Sequence, residues 1–256
     1  MKVYAIANQK GGVTKTTSTV SLSAALARQD KRVLMVDLDP QSSLTEYFVR
    51  PVDLKETTYD LIISGVKIVP FPLGRFVHLL PTTLDLAAAE IELPSKTNFE
   101  HSLRRRLREY ATDYDYCILD CPPTLGVLTR IALTAADSVL IPVACEVMAI
   151  RTLPYILGHI KDVHDTELNK ELYPWYILPT LFSSREKEDV DCLTSIRRQY
   201  GKLVYETPVP RKTDYKRAVR FQTDIFDIDP SLGVLWDDLA TLLIQDSVRL
   251  GERVRQ

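Results

Sequence analysis

The chain has 256 residues, of which 45% are apolar and 26% are charged, and its formal net charge is −2. This composition is typical of a globular protein and excludes a disordered tail, a collagen-like repeat and a disulfide-rich scaffold. Because the overall charge is close to zero, it favours no class of partner, and only local charge can do so.

The cysteines and the apolar runs indicate a cellular compartment. Cys117, Cys121, Cys145 and Cys192 form no C-x-x-C pair, so we expect buried free thiols in a reducing cytosol. The sequence shows no signal peptide and no run of about 18 apolar residues, the length of a membrane span. We therefore expect a soluble, cytoplasmic protein.

Short apolar runs predict strands that alternate with helices. The runs carry few polar residues, as in a sheet that is buried on both faces. In chain order they span residues 3–7, 32–37, 77–80, 116–120, 138–143, 175–180 and 203–207. Helical patterns of apolar residues span 17–28, 100–110 and 232–243. This alternation is typical of βαβ units and of a mostly parallel sheet.

The chain carries no internal repeat and no linker rich in glycine, serine or proline. We therefore predict an α/β fold with a single domain, residues 1–256, in which helices cover both faces of a mostly parallel, twisted sheet. Since the first predicted strand begins at residue 3, we expect no N-terminal helix-turn-helix domain before it.

The most informative segment lies between the first predicted strand and the first predicted helix. It consists of Lys10, Gly11, Gly12, Val13, Thr14, Lys15, Thr16 and Thr17. Backbone N–H groups in a tight loop at a helix N-terminus bind phosphates, and glycines let the backbone approach them closely. In such a loop Lys15 can reach the β- and γ-phosphates, and the Thr16 hydroxyl can hold Mg²⁺.

Thr14 departs from the usual phosphate-loop pattern. The pattern G-x-x-x-x-G-K-[ST] requires glycine at positions 9 and 14, where this chain has Gln9 and Thr14. If residue 14 needs a positive φ, a β-branched side chain costs about 1 kcal/mol or more there. One hypothesis that follows is a nucleotide switch that hydrolyses its ligand only weakly.

Carboxylates follow two of the predicted strands. Asp37 and Asp39 lie at the end of one, and Asp120 ends another just before Pro122 and Pro123. The carboxyl ends of parallel strands form the edge where ligands bind. A carboxylate there can hold a water on Mg²⁺ or orient an attacking water, although capping of a turn is the commoner use of aspartate.

Together these motifs resemble the ParA partition ATPases of the ParA/MinD superfamily, whose deviant Walker A box reads K-G-G-x-G-K-T. The resemblance covers nearly the whole chain. Within the family, the chain is similar to the short, Soj-like subclass. The further segments that carry it are residues 37–41, 80–93, 120–126, 136–146 and 209–211.

The resemblance implies a deviant P-loop NTPase, a Mg²⁺-dependent ATPase in which two subunits sandwich two ATP molecules. It implies that Lys10 reaches the partner's phosphates, that Lys15 binds the subunit's own nucleotide and that Thr16 ligates Mg²⁺ directly. Asp39 and Asp120 would act on the metal through water, and Asp39 would also position the attacking water. Catalysis would then rest on Lys10, Lys15 and Asp39.

The resemblance also implies further contacts and partners. Pro210 and Arg211 would lie by the adenine, and Glu146 near the partner's nucleotide. The homodimer that forms on ATP would bind DNA non-specifically, and a separately encoded adaptor, ParB-like or specific to a cargo, would stimulate hydrolysis. The protein would then be nucleoid-associated, and its cargo could be a plasmid, a chromosome or a protein body such as a carboxysome.

A local excess of positive charge agrees with a DNA-binding role. Residues 196–220 contain eight basic and two acidic side chains. Such a patch contacts phosphates rather than bases, so we expect salt-dependent binding without sequence preference. The DNA-binding candidates are Lys212, Lys216, Arg217 and Arg220, and the alternative is a solvated helix face. We interpret the three arginines at 104–106 as part of a solvated helix face.

Two other functions remain open. A MinD-like ATPase that cycles on a membrane needs an amphipathic C-terminal helix, whereas the tail 246–256 has no phenylalanine or tryptophan and contains Gly251. We therefore expect no membrane partner. The second function is that of a metabolic enzyme on the same scaffold, such as a nitrogenase-reductase relative or a small-molecule ligase. An iron–sulfur enzyme of this kind would need cysteines placed for a cluster that two subunits share.

Overall fold

The structure is a computed structural model that describes residues 1–50 and 54–253, without the side chains of residues 147, 149 and 247–253. Seven strands form one sheet in the order β3-β4-β2-β5-β1-β6-β7. They are β1 (Lys2–Ile6), β2 (Val33–Asp37), β3 (Phe71–Pro72), β4 (Val77–Leu80), β5 (Tyr116–Asp120), β6 (Ser138–Ala144) and β7 (Tyr173–Thr180). All neighbours are parallel except β3 and β4, so the predicted α/β fold with a mostly parallel sheet is confirmed.

Helices connect the strands. The α-helices are α1 (Lys15–Arg28), α2 (Ser43–Phe48), α3 (Ala89–Glu92), α4 (Ser102–Leu107), α5 (Val127–Ala135), α6 (Val147–Asp165), α7 (Lys187–Tyr200), α8 (Asp214–Phe221), α9 (Ile225–Ile228) and α10 (Pro230–Arg253). A π-helical turn spans Asp60–Ser64, and 3₁₀ turns span Leu84–Ala88, Leu93–Ser95, Phe99–His101, Arg108–Tyr110 and Gly201–Leu203. Within the described residues, no helix is both long and apolar enough to cross a bilayer.

The sheet is buried on both faces, as the apolar strands predict. On one face, α1 and α10 pack Leu22, Leu26 and Trp236 against Tyr4 and Ile6 of the central strand. On the other face, α4, α5 and α6 supply a second apolar cluster. This two-sided packing explains why the strands contain so few polar residues.

One predicted strand is wrong. Residues 203–207 form no strand, and Val204 makes only an isolated bridge to Ile177 of β7. Pro179 and Pro208 have no N–H group to donate, so a regular ladder between the two segments cannot continue. The predicted helix over 100–110 is also broken, into α4 between two 3₁₀ turns.

The sheet order brings the chemically interesting strand ends together. The central strand β1 lies between β5 and β6, and β5 in turn pairs with β2. In the register of the sheet, Ile6 is level with Asp120, and Asp120 is level with Asp37. The loop after β1 therefore emerges beside both carboxylates, at the edge where open α/β sheets bind ligands.

Candidate functional site: a phosphate loop and its carboxylates

The loop between β1 and α1 is anchored to the two strands beside it. The Asn8 amide donates to the Pro142 carbonyl of β6 (2.7 Å), and its oxygen accepts from the backbone N–H of Lys10 (3.1 Å). The Thr180 hydroxyl of β7 donates to the Val13 carbonyl (3.1 Å). Two of these three bonds are buried, and together they hold the loop in one conformation above the N-terminus of α1.

Two residues of the loop have left-handed backbone conformations. Gly12 has φ 72°, and Thr14, the residue before α1, has φ 71° and ψ 29°. The strain expected at Thr14 depended on a positive φ at that residue, and the structure shows one. Since Thr14 is β-branched, this conformation costs about 1 kcal/mol or more. Its hydroxyl oxygen is buried and has no hydrogen-bond partner among the described residues.

Lys15 begins α1 and is buried beneath the loop. Its ammonium donates to the Lys10 carbonyl at 3.3 Å. Burial lowers the pKa of Lys15, whereas the nearby carboxyls of Asp120 and Asp39 raise it. The lysine therefore faces two acidic groups at the same end of the helix that would receive a phosphate.

Thr16 and Asp120 form the centre of the site. The Thr16 hydroxyl donates to Asp120 Oδ2 at 2.7 Å, while Asp120 Oδ1 is buried without a partner among the described residues. Burial raises the pKa of Asp120, and the neighbouring Asp37 raises it further. A hydroxyl and an unpartnered carboxylate oxygen are hard oxygen donors of the kind that Mg²⁺ takes together with phosphate oxygens. These residues therefore fit Mg²⁺ bound with a nucleotide.

Asp37 and Asp39 have different surroundings although they are two residues apart. Asp37 is fully buried and accepts from the Thr45 backbone N–H (2.8 Å), the Thr45 hydroxyl (2.7 Å) and the Asp39 N–H (3.1 Å). Asp39 is partly exposed and accepts from the Gln41 N–H at 3.0 Å. Asp37 therefore supports the turn, whereas Asp39 keeps more of its carboxylate free and is near enough to Lys15 to raise the pKa of that lysine.

Lys10 lies at the mouth of the loop and is partly exposed. Its ammonium forms an ion pair with Glu146, the residue before α6. The backbone carbonyl of Glu146 in turn accepts from the Cys192 thiol. In this conformation Lys10 is thus held within its own subunit.

Pro210 and Arg211 lie on the same edge, next to the end of β7. The Arg211 N–H donates to the Phe182 carbonyl (2.8 Å), and its guanidinium pairs with the buried Asp189 (3.2 Å). A cleft of about 370 Å³ lies beside them and includes Lys212 in its lining. The backbone of this segment can line a base pocket, whereas the Arg211 side chain is occupied by Asp189.

The four basic DNA-binding candidates are all exposed at or beside α8. Lys216 and Arg220 are four residues apart and share one face of the helix. Arg217 donates to Asp214 at 2.8 Å, which neutralises part of its charge. Two apolar side chains next to them, Val219 and Phe221, are 44% and 60% exposed. The remaining basic residues of the segment lie on α7 and in the turns around it.

The sequence reasoning missed the residues that anchor the site. Asn8, Thr45 and Thr180 hold the loop and the Asp37 turn, and all three are buried. For Asn8 and Thr180 the available signal was a polar residue directly after, or at the end of, an apolar strand, whereas Thr45 lies within α2 and carries no such signal. The expected free, buried thiols are confirmed for all four cysteines. The described residues contain no group of three or more His, Cys, Asp or Glu that could hold a metal by themselves.

Comparison with known proteins identifies the family. Residues 1–173 match the AAA domain family. The chain is 37% identical to the sporulation initiation inhibitor protein Soj of Bacillus subtilis (strain 168), over 90% of this chain and 92% of Soj. It is 39% identical to the chromosome partitioning protein ParA of Myxococcus xanthus (strain DK1622), over 89% of this chain and 82% of ParA.

One solved structure is similar to this chain in both fold and sequence. The crystal structure of cobyrinic acid a,c-diamide synthase from Mycobacterium smegmatis with bound ATP analog and magnesium is 35% identical, with a TM-score of 0.84. The match covers 96% of this chain and 95% of that chain. The loop geometry and these relatives lead to one conclusion: the chain belongs to the Soj/ParA family of partition ATPases.

Proposed function

We propose that the protein hydrolyses ATP with Mg²⁺, forms a dimer on ATP and binds DNA non-specifically in order to position a cargo. The observation that carries this proposal is the Thr16–Asp120 pair, with its unpartnered buried oxygen, next to Lys15 at the N-terminus of α1. The name of one relative, the chromosome partitioning protein ParA, supplies the link to partition.

The residues of the loop supply binding and charge neutralisation. The N–H groups of residues 11–16 and the positive end of the α1 dipole attract phosphate oxygens. Lys15 adds a full positive charge, and Thr16 and Asp120 would hold Mg²⁺, directly and through water respectively. Bound Mg²⁺ supplies Lewis-acid stabilisation of charge on the phosphates. Asp39, the partly exposed carboxylate, would position the attacking water for in-line transfer.

Lys10, the lysine of the deviant Walker A box, would link nucleotide binding to dimer formation. Lys10 would leave Glu146 and reach the phosphates bound by a partner subunit. The partial exposure of Lys10 and its place at the loop mouth support this. A γ-phosphate that is held from both subunits would favour the dimer, and hydrolysis would release it.

DNA binding would use the basic residues at α8. Lys212, Lys216, Arg217 and Arg220 project from one exposed segment, and phosphate contacts of this kind are independent of sequence. A cytoplasmic, nucleoid-associated dimer of this kind would carry a plasmid, a chromosome or a protein compartment. An adaptor protein, encoded separately, would stimulate hydrolysis.

Charge reversal on two helices tests the DNA-binding face. One variant combines Lys216→Glu and Arg220→Glu on α8. Its matched control, called the α4 variant, combines Arg104→Glu on α4 with Arg108→Glu in the 3₁₀ turn that follows, and both arginines are likewise exposed. With ATP, the α8 variant should bind random-sequence DNA at least about tenfold more weakly, with a salt slope reduced by about two. The α4 variant should bind as the wild type does. Equal losses in both variants would contradict the assignment to α8.

A membrane-cycling ATPase and a weakly hydrolysing switch are the alternatives. The membrane alternative depends on the tail 246–256, in which the structure describes the helix α10 as far as Arg253 but no side chain after Asp246. Sedimentation with anionic vesicles tests it, and ATP-dependent cosedimentation without DNA binding would favour it. Steady ATP turnover that is near the detection limit with or without DNA, and that rises in Thr14→Gly, would favour the switch.

An amide-forming ligase is a second candidate because of the likeness to the M. smegmatis synthase. Ligases that take nitrogen from glutamine need a nucleophilic thiol, and thiols react as thiolates. All four cysteines are buried, and burial raises the pKa of each. We therefore expect no amidation when cobyrinic acid, glutamine and ATP are supplied, and mass spectrometry of the product decides this.

A further inference from the structure

A buried carboxylate joins the nucleotide edge to α2. Asp37 Oδ1 accepts from the N–H of Asp39, and Asp37 Oδ2 accepts from the N–H and hydroxyl of Thr45 in α2. The Thr45 hydroxyl in turn accepts from the Thr82 N–H at 2.8 Å. A shift in the backbone at Asp39 would therefore strain bonds that hold α2.

The opposite side of α2 contacts the end of α8. Tyr47 is buried, and its hydroxyl donates to the Thr223 carbonyl at 2.7 Å. Thr223 follows Gln222, which ends α8 in a left-handed conformation (φ 53°), and the Thr223 N–H bonds back to Ala218 (3.1 Å). One hydrogen bond thus ties α2 to the last turn of the helix that carries the basic face.

Apart from the short helix α9 that follows it in the chain, α8 has few contacts with the rest of the fold. Of its eight residues only Ala218 is buried, and Tyr215 accepts from the Trp236 indole at 3.2 Å. A cleft of about 580 Å³ separates α1 and α2 from the segment after α8, with Arg28, Phe48 and Asp224 in its lining. A helix with little buried surface beside open space can change position at low cost. The Tyr47 bond crosses this loosely packed region.

We propose that Tyr47 is a positioning residue that couples the nucleotide site to the DNA-binding face of α8 through its hydrogen bond to the Thr223 carbonyl. This proposal rests on the proposed function, since it takes α8 as the DNA-binding element. The path runs from the turn at Asp39, through Asp37 and Thr45, to Tyr47 and Thr223. Nucleotide-dependent movement of that turn then changes how α8 presents Lys216 and Arg220.

Removal of one hydroxyl tests the link with a matched control. Tyr47→Phe removes the bond to Thr223, and the ring keeps its packing. Tyr110→Phe removes the bonds of another buried tyrosine on the other face of the sheet, whose hydroxyl donates to the Ile68 carbonyl (2.8 Å) and accepts from the Ile68 N–H (3.1 Å). For each protein, anisotropy measures the affinity for random-sequence DNA with ADP and with ATP, and a separate titration measures the affinity for ATP.

The wild type should bind DNA at least about tenfold more tightly with ATP than with ADP. In Tyr47→Phe this ratio should fall below about threefold while the affinity for ATP is unchanged, and Tyr110→Phe should keep the ratio. An unchanged ratio in Tyr47→Phe, or an equal loss in Tyr110→Phe, would overturn the proposal.

Hydrogen exchange of the α8 amides separates this proposal from the proposed function. If the wild type shows no nucleotide-dependent DNA binding, the proposed function fails, and exchange still reports the link. A difference between the ATP and ADP states at residues 216–223 that disappears in Tyr47→Phe supports the coupling. The absence of any such difference in the wild type refutes it.

Discussion

The ends of β2 and β5 carry two aspartates that occupy matching positions in the sheet but differ in the number of hydrogen bonds that they accept. Asp37 and Asp120 are level in the sheet, and both are fully buried. Asp37 accepts three hydrogen bonds from α2 and the turn at Asp39. Asp120 accepts one, from Thr16, and one of its oxygens has no partner among the described residues.

The difference shows how hydrogen bonding separates a buried carboxylate that supports the structure from one that binds a ligand. A charge whose hydrogen bonds are all met within the protein stabilises a local structure. A buried oxygen without a partner is costly, and proteins keep such groups where a ligand completes the set. On this basis we propose that Asp37 supports the turn and that Asp120 acts on the metal, and the following experiments compare the two.

The largest effect is expected from Asp120→Asn. The amide cannot replace the carboxylate charge that would hold Mg²⁺ through water, so ATP turnover should fall about a hundredfold or more. A phosphate-release assay at saturating Mg²⁺ measures this, and circular dichroism checks that the variant is folded. Turnover within about threefold of the wild type would contradict the assignment.

Asp37→Asn should instead reduce stability. In either orientation the new NH₂ group would face an N–H of Thr45 or Asp39, which leaves a buried donor without an acceptor. The free energy of unfolding should fall by about 2 kcal/mol. Urea denaturation measures it. If the variant were as stable as the wild type but inactive, the roles of the two aspartates would be reversed.

The pH dependence of stability tests the burial of both aspartates without any ligand. Burial raises the pKa of Asp37 and of Asp120 above the unfolded value of about 4. Between that value and the raised folded pKa, the unfolded chain binds fewer protons, so stability falls as pH rises toward neutral. Asp120→Asn should flatten this slope. Unfolding curves at several pH values test it, and a slope of the opposite sign would contradict it.

Thr14→Gly should give the smallest change. Glycine relieves the left-handed strain at φ 71° but increases the entropy of the unfolded chain. The net gain in unfolding free energy should be about 0.5 kcal/mol. A higher turnover in this variant would show that Thr14 limits hydrolysis; equal turnover would show that it does not.

The carboxyl edge of the sheet was predictable because its signals are local. The phosphate loop, Asp39 and Asp120 each follow an apolar strand, and the structure places all of them together. Hydrophobic patterning likewise predicted six of the seven strands, and missed only the two-residue edge strand β3. Its short span carries too few residues for any pattern.

The contacts between distant segments were not predictable. The bond from Tyr47 to Thr223 joins residues 176 positions apart, and no periodicity marks either of them. The predicted strand at 203–207 failed for a related reason, since the prolines that prevent pairing lie partly on the partner strand. The charge of residues 196–220 was visible, but its division between α7 and α8 depends on the tertiary structure.

The central claim is that ATP controls the association with DNA. Fluorescence anisotropy of random-sequence duplex DNA tests it with ADP, with ATP, and with ATP and the Asp39→Ala variant. We predict binding with ATP alone, persistence of that binding in Asp39→Ala, and a steep loss of affinity with salt. If no nucleotide state binds DNA, or if ADP and ATP give the same affinity, the claim is contradicted.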